Sequence, residues 1–287
     1  MEDENIAFPG GFLYFAEHFG HKKYNLIWKM PSVLLAESLA VDLEGQEQWP
    51  EDAKLYQPLQ KNQILLPDYS NCLAVQAYLK MNGLKFEIIE KHNAEFMSPS
   101  GRVPFIKCGA FIVSELEPII KFVNNKGINI SERLNKSERS DMIAYMSLAN
   151  NIFLNAELFM SWCDIDTYEN VTWHRYGSVF AWPLNYLVTW QKKRAVKNKL
   201  AALGWGKKDM KQVLEDVQNC CTSLSERLDN NDYFFGDQPT ELDALVFGHV
   251  FSILATLLPG NKLATIVQGY PNLVNLCKRI ERRYFKL

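Results

Sequence analysis

After Gly127 the strand patterns of this 287-residue chain stop, and about 155 residues of helical periodicity follow. That switch limits the fold more than any single motif. Whatever sheet the chain forms must be completed before residue 127, and everything after it must pack as helices. A hydrophobic content of 47% beside 22% charged residues is ordinary globular composition, and the length suits two domains.

The sheet-forming part begins after Trp49-Pro50. Residues 53–57 (AKLYQ) read as a first strand, followed by a loop and the turn 67–70. Ser70 or Asn71 can cap a helix that runs to Asn82. On it Leu73, Ala74, Ala77, Tyr78 and Met81 share a face, while Gln76 and Lys80 mark the wet side. Asn82-Gly83 stops this helix and residues 85–89 (KFEII) give the next strand. Strand, helix, strand at this spacing is a parallel βαβ unit.

The densest stretch is 98–123, SPSGRVPFIKCGAFIVSELEPIIKFV. A turn at 98–101 precedes a strand at 104–108, a Gly109-Ala110 turn and a returning strand at 111–113. Pro104 removes an amide from the ladder, leaving backbone there free to face a ligand or a partner. Ser114 can cap a helix over 115–125, with Glu115 and Glu117 in its first turn. The whole is βαβ-ββα.

Residues 128–131 read as a linker. Beyond it, helices fit 137–162, 190–203, 208–228, 240–257 and 272–284. The division is therefore a 1–50 extension, an α/β domain over 51–128 and an all-helical domain over 131–287. Residues 1–29 carry aromatics without a period and are expected to be poorly ordered, with Met30 the expected start. Thr240 with Asp243 resembles a capping box and opens a helix that is apolar nearly all round. Asp243 as a catalytic acid is the lesser reading.

Several classes are excluded. A net charge of −2 gives no reason to expect nucleic acid. The six cysteines form no CxxC pair and the five histidines no ligand spacing, so no metal is assigned and a reducing compartment fits. Sequons at Asn129, Asn135 and Asn170 follow an acidic start without a signal-peptide core. The apolar window 242–258 is too short and too polar to span a bilayer. Residues 190–211 hold eight Lys or Arg against one acid, Asp209. They read as a solvated helix with a Val196/Leu200/Leu203 docking stripe, attraction to an anionic lipid surface or acidic partner being the alternative.

The layout resembles the glutathione-transferase superfamily, a thioredoxin-like domain followed by a helical one. The resemblance implies a cis Val103-Pro104 peptide and no catalytic role for Asp243. In such transferases a Glu/Gln-Ser pair opening the helix after the hairpin grips glutathione. Register on Ile119 to Val123 puts Glu115 on the acid and Leu116 on the serine. Leu116 cannot hydrogen-bond a carboxylate, and a polar group left unpaired there costs about 1–3 kcal/mol, roughly 5- to 150-fold in affinity. Glu115, Leu116 and Pro104 are thus positions of a degenerate glutathione site. An activating group for an enzyme would come from Tyr56, Tyr69, Ser70 or Cys72; inside a first helical turn Cys72 would either have a lowered thiol pKa or, by its wheel position, serve as a packing residue.

Longer runs are more specific. QWPEDAKLYQ (48–57), SNCLAVQAYLKM (70–81), NAEFMSPSGRVPFIKCG (93–109), RYGSVFAWPLN (175–185) and YFFGDQPTELDALVFGH (233–249) are similar to the metaxins. That resemblance covers residue 48 to the end. It implies a non-enzymatic scaffold without a cofactor at the cytosolic face of the mitochondrial outer membrane. Such a chain serves protein import and β-barrel sorting and assembly. It is held peripherally by a membrane-anchored, metaxin 1-type partner, a role that the missing apolar tail fits. A link to transport motors is also implied. The alternative is a glutathione-dependent transferase or thiol reductase.

Overall fold

A computed structural model describes residues 48–285, and all of them fall within one compact unit. The aromatic run 1–29 and the amphipathic pattern before Gly45 lie outside the described residues. Four strands form one sheet in the order β2-β1-β3-β4, with β1 Lys54–Gln57, β2 Glu87–Glu90, β3 Phe105–Cys108 and β4 Phe111–Ser114. β1 runs parallel to β2 and antiparallel to β3, and β3 and β4 are the expected hairpin. Leu55 sits opposite both Ile88 and Ile106, and the inward Leu55 and Ile106 are sealed from solvent. α1 Leu66–Met81, the short α2 Ala94–Met97 and α3 Leu116–Asn125 complete the βαβ-ββα order. The Val103-Pro104 peptide is cis, as is Trp182-Pro183, which the sequence did not flag.

Two helix starts differ from expectation. α1 opens at Leu66, with Pro67 in the first turn where its missing amide costs nothing. Ser70 and Asn71 are therefore interior, bonding back to the carbonyls of Leu66 and Pro67 at 2.9 Å each. Glu115 rather than Ser114 stands at the head of α3, and its side chain makes no capping bond. Ser114 stays in β4 opposite Phe105, and Glu115 turns the chain at φ 70°. Gln76 is not on a wet side either. It is buried and donates to Gln57 Oε1 at 2.8 Å, while Lys80 lies under the Phe285 ring and donates to the Tyr284 carbonyl.

The helical part consists of α4 Lys136–Trp162, α5 Leu184–Ala202, α6 Met210–Leu228, α7 Glu241–Ala255, α8 Lys262–Gln268 and α9 Pro271–Ile280. Asn135 and Glu138 form a reciprocal box at the start of α4, and Asp209 with Gln212 does the same for α6. Between α4 and α5 the chain makes short turns, Ile165–Thr167, a π turn Tyr168–Thr172 and Trp173–Gly177, which periodicity did not reveal. Asp243 accepts from the Thr240 and Phe234 amides at 2.7 and 3.0 Å and from Thr240 Oγ1 at 2.7 Å. It is a buried structural carboxylate at the mouth of α7, remote from solvent. The linker is held there too, through Ser131 Oγ donating to Glu241 at 2.9 Å.

α7 is buried on nearly every side and lies directly on α1. Gly248 allows the approach, since a Cβ there would sit 2.5 Å from the Ser70 carbonyl and 2.6 Å from Ala74 N and Cβ. Beside this contact α1, α4 and α7 share a polar knot. Glu157 Oε1 accepts from Ser70 Oγ and lies against His249 Nδ1, both at 2.8 Å, and Ser252 Oγ is 2.5 Å from Ser70 Oγ. All four side chains are sealed from solvent. Glu157 Oε2 and His249 Nε2 have no hydrogen-bond partner among the described residues. Burial pushes the Glu157 carboxyl up, while His249 and Ser70 pull it back.

Candidate binding cleft

The sheet-bearing part and the helices enclose a cleft of about 490 Å³. Its walls come from the first turn of α1, the loop before β3, the start of α3, the inner face of α4 and the middle of α5. Glu115 and Leu116 line one wall together with Val103; Pro104 itself does not line it, although its carbonyl accepts the Glu115 amide at 3.1 Å. The Glu115 carboxylate is not free. It pairs with Arg102 Nη1 at 2.6 Å, and Leu116 beside it is buried apolar lining.

The opposite wall carries groups that no spacing in the sequence connects. Lys192 on α5 forms an ion pair with Glu95, which also accepts from Tyr176 Oη at 3.0 Å. Lys192 and Lys199, two of the eight cations in the stretch expected to be a solvated helix, instead line this cleft. Val196 and Leu200 are buried as expected, but Leu203 is exposed just past the helix end. Burial, together with the Arg102 charge, lowers the Lys199 pKa from its ordinary value. The floor is apolar, with Leu154, Leu158 and Trp162.

Asp68 projects into the same space from the first turn of α1. Burial pushes its carboxyl up to about 6, against the pull of the Lys192 ammonium. A carboxyl whose folded pKa exceeds its unfolded value adds stability that is complete below the unfolded pKa. That stability is lost as the pH rises through the folded pKa. The relevant window here runs from 3.8 to about 6. Asp243 is pushed up to about 6 by burial in the same way, so the parent's profile sums both groups. Urea titrations across this window should show Asp68→Asn with a shallower fall, and a variant more stable at neutral pH by about 1–2 kcal/mol. An unchanged profile would mean that the carboxylate is solvated.

The candidate activating groups are scattered. Ser70 is fully buried with its hydroxyl turned to Glu157, away from the cleft. Cys72 lies in the second turn of α1, fully buried, and burial drives its thiol well above the ordinary value, contrary to a lowered pKa. Tyr56 is half-buried and stacks on Phe105 with centroids 4.7 Å apart. Tyr69 is half-buried, its phenol raised by burial. None of the four lines the cleft. All six cysteines are free thiols, and no cluster able to hold a metal occurs among the described residues.

Comparison with known proteins now adds to this geometry. Residues 72–193 match a family model described as outer mitochondrial membrane transport complex protein, and residues 217–280 match the glutathione S-transferase C-terminal domain. The chain is 50% identical to metaxin-2 of Homo sapiens over 253 residues, covering 88% of this chain and 96% of that protein. It is 30% identical to metaxin-1 of Mus musculus over 220 residues, 74% of this chain and 69% of that one. Among solved structures, a glutathione S-transferase of Ceriporiopsis subvermispora in complex with glutathione superposes with a TM-score of 0.54 at 12% identity. That match covers 82% of this chain and 98% of the other, and it shows that the two share a fold.

Proposed function

This chain belongs to the metaxin family, and on that premise we propose that it is a non-catalytic adaptor in mitochondrial protein import at the outer membrane. It acts on the cytosolic face, held peripherally by a membrane-anchored, metaxin 1-type partner. Together they serve the machinery that sorts and assembles β-barrel proteins. No helix of the described residues is long and apolar enough to cross a membrane, which fits attachment through something other than a spanning segment.

The observation that carries the non-catalytic half of this reading is the direction of Ser70. In this fold an activating hydroxyl or thiol would stand near the start of α1, but α1 opens on Leu66 and Pro67, and Ser70, one turn further in, points its Oγ into the core between Glu157 and Ser252. At the other wall Leu116 replaces a hydrogen-bonding side chain, and the Glu115 carboxylate is already engaged by Arg102. A charged tripeptide entering here would leave polar ends unpaired.

Immobilised glutathione tests the chemistry, and cross-linking on purified mitochondria tests the assembly. The adaptor should pass through the glutathione resin and capture a metaxin and outer-membrane assembly components. Retention on the resin, with a turnover abolished by Tyr56→Phe, would replace this reading with a transferase.

A further inference from the structure

α5 begins six residues earlier than its periodicity suggested, and the added turns carry an exposed apolar face. Trp182, just before it, is 79% exposed, and Leu184, Leu187 and Trp190 are each at least half exposed. On the helix the last three follow one another in steps of about 60°, so they form one ridge. Before the helix, the half-buried Phe180 meets the exposed Phe96 edge to face at 6.2 Å. Isolated surface leucines need no explanation, but a ridge of Leu184, Leu187 and Trp190 with Trp182 at its head does.

The charge on the same helix points to the occupant. α5 contains no acidic residue. Lys192 is neutralised by Glu95, Lys193 sits over the Tyr168 ring, and Lys199 lines the cleft. Arg194 and Lys197 remain exposed, and the Arg194 guanidinium lies over the Trp190 ring at 5.6 Å. Tryptophan and leucine next to unpaired cations, without a carboxylate on the helix, match the headgroup layer of an anionic bilayer. There indole and aliphatic groups enter the acyl boundary while cations stay at the phosphates. An acidic protein surface would answer the cations but would not call for a protruding Trp182.

We propose that the ridge from Trp182 to Trp190, with Arg194 and Lys197, is a direct contact with an anionic phospholipid surface. The chain then touches the membrane itself rather than only through a partner. The inference rests on the outer-membrane location in the reading above, but its test does not need a partner.

Flotation of the full chain with vesicles of phosphatidylcholine and phosphatidylserine is the experiment, with pure phosphatidylcholine alongside. The parent should float with the anionic vesicles and lose binding as salt is raised. Trp182→Ser with Leu187→Ser should reduce the bound fraction by about tenfold or more, and Arg194→Glu or Lys197→Glu by about fivefold each. These side chains are exposed, and an unchanged circular dichroism spectrum confirms that the variants fold. Absence of flotation by the parent, or flotation unaffected by the ridge variants, would overturn the proposal. So would variants that keep vesicle binding but lose a protein neighbour on mitochondria, which would make the ridge a protein interface. Failure here leaves the cross-linking result untouched, so the two readings fail separately.

Discussion

Gly248→Ala is expected to destabilise the chain by about 3 kcal/mol in urea or guanidinium unfolding, the upper end for overpacking a tight core. The methyl group would sit 2.5 Å from one backbone oxygen and 2.6 Å from a backbone nitrogen, well inside contact distance. Neither neighbour is the flexible tip of a side chain, so relief requires α1 and α7 to separate. Those helices carry much of the buried apolar surface, including Leu73, Ala74, Val246 and Phe247. Gly248→Val should cost more and leave little folded protein. A cost for Gly248→Ala below about 0.5 kcal/mol, the level of a surface change, would mean that the helices are not so close.

Breaking the polar knot is expected to cost as much or more. Glu157→Ala strands Ser70 and His249 in a sealed site, and removal of one partner from a buried pair costs about 3–5 kcal/mol. The informative companion is the double replacement Glu157→Leu with His249→Phe, which removes both polar partners. Exchange of a buried pair for apolar side chains of similar volume is often close to neutral. The double variant should therefore be more stable than Glu157→Ala alone. If both variants are equally damaged, packing rather than polarity holds this junction together.

Which parts of the molecule the sequence disclosed follows from the range of the interactions. The hairpin at 105–114 and the box of Thr240 with Asp243 depend on neighbours a few residues apart, and local chemistry exposes them. The start of α1 was misplaced because Ser70 and Asn71 are good caps in isolation. Their side chains bond backward within a helix that Pro67 had already begun. Gln76 looked wet because its partner Gln57 stands on another element, and Lys80 because the segment it meets, Tyr284 and Phe285, is more than two hundred residues away.

The cleft divides in the same way. Glu115 and Leu116 lie side by side in one short stretch, and both line the cleft. Glu95 and Lys192 are 97 residues apart, and each alone reads as a surface charge. Asp68 sat in what looked like a turn, where an exposed carboxylate is unremarkable. Only the packing of α5 across the opening makes these three a set. His249 and Ser252, two polar residues three apart in the apolar body of α7, were the available hint of the knot.

The fit of Gly248 against α1 has a mechanical corollary. Two elements joined by a hinge can swing, and tension applied to one is dissipated before it reaches the other. Here the sheet side and the bundle side are interlocked backbone to backbone, so displacement at either end is transmitted without slack. An object of this kind behaves as a rigid strut, and a bound neighbour at one end is held at a set distance from whatever grips the other.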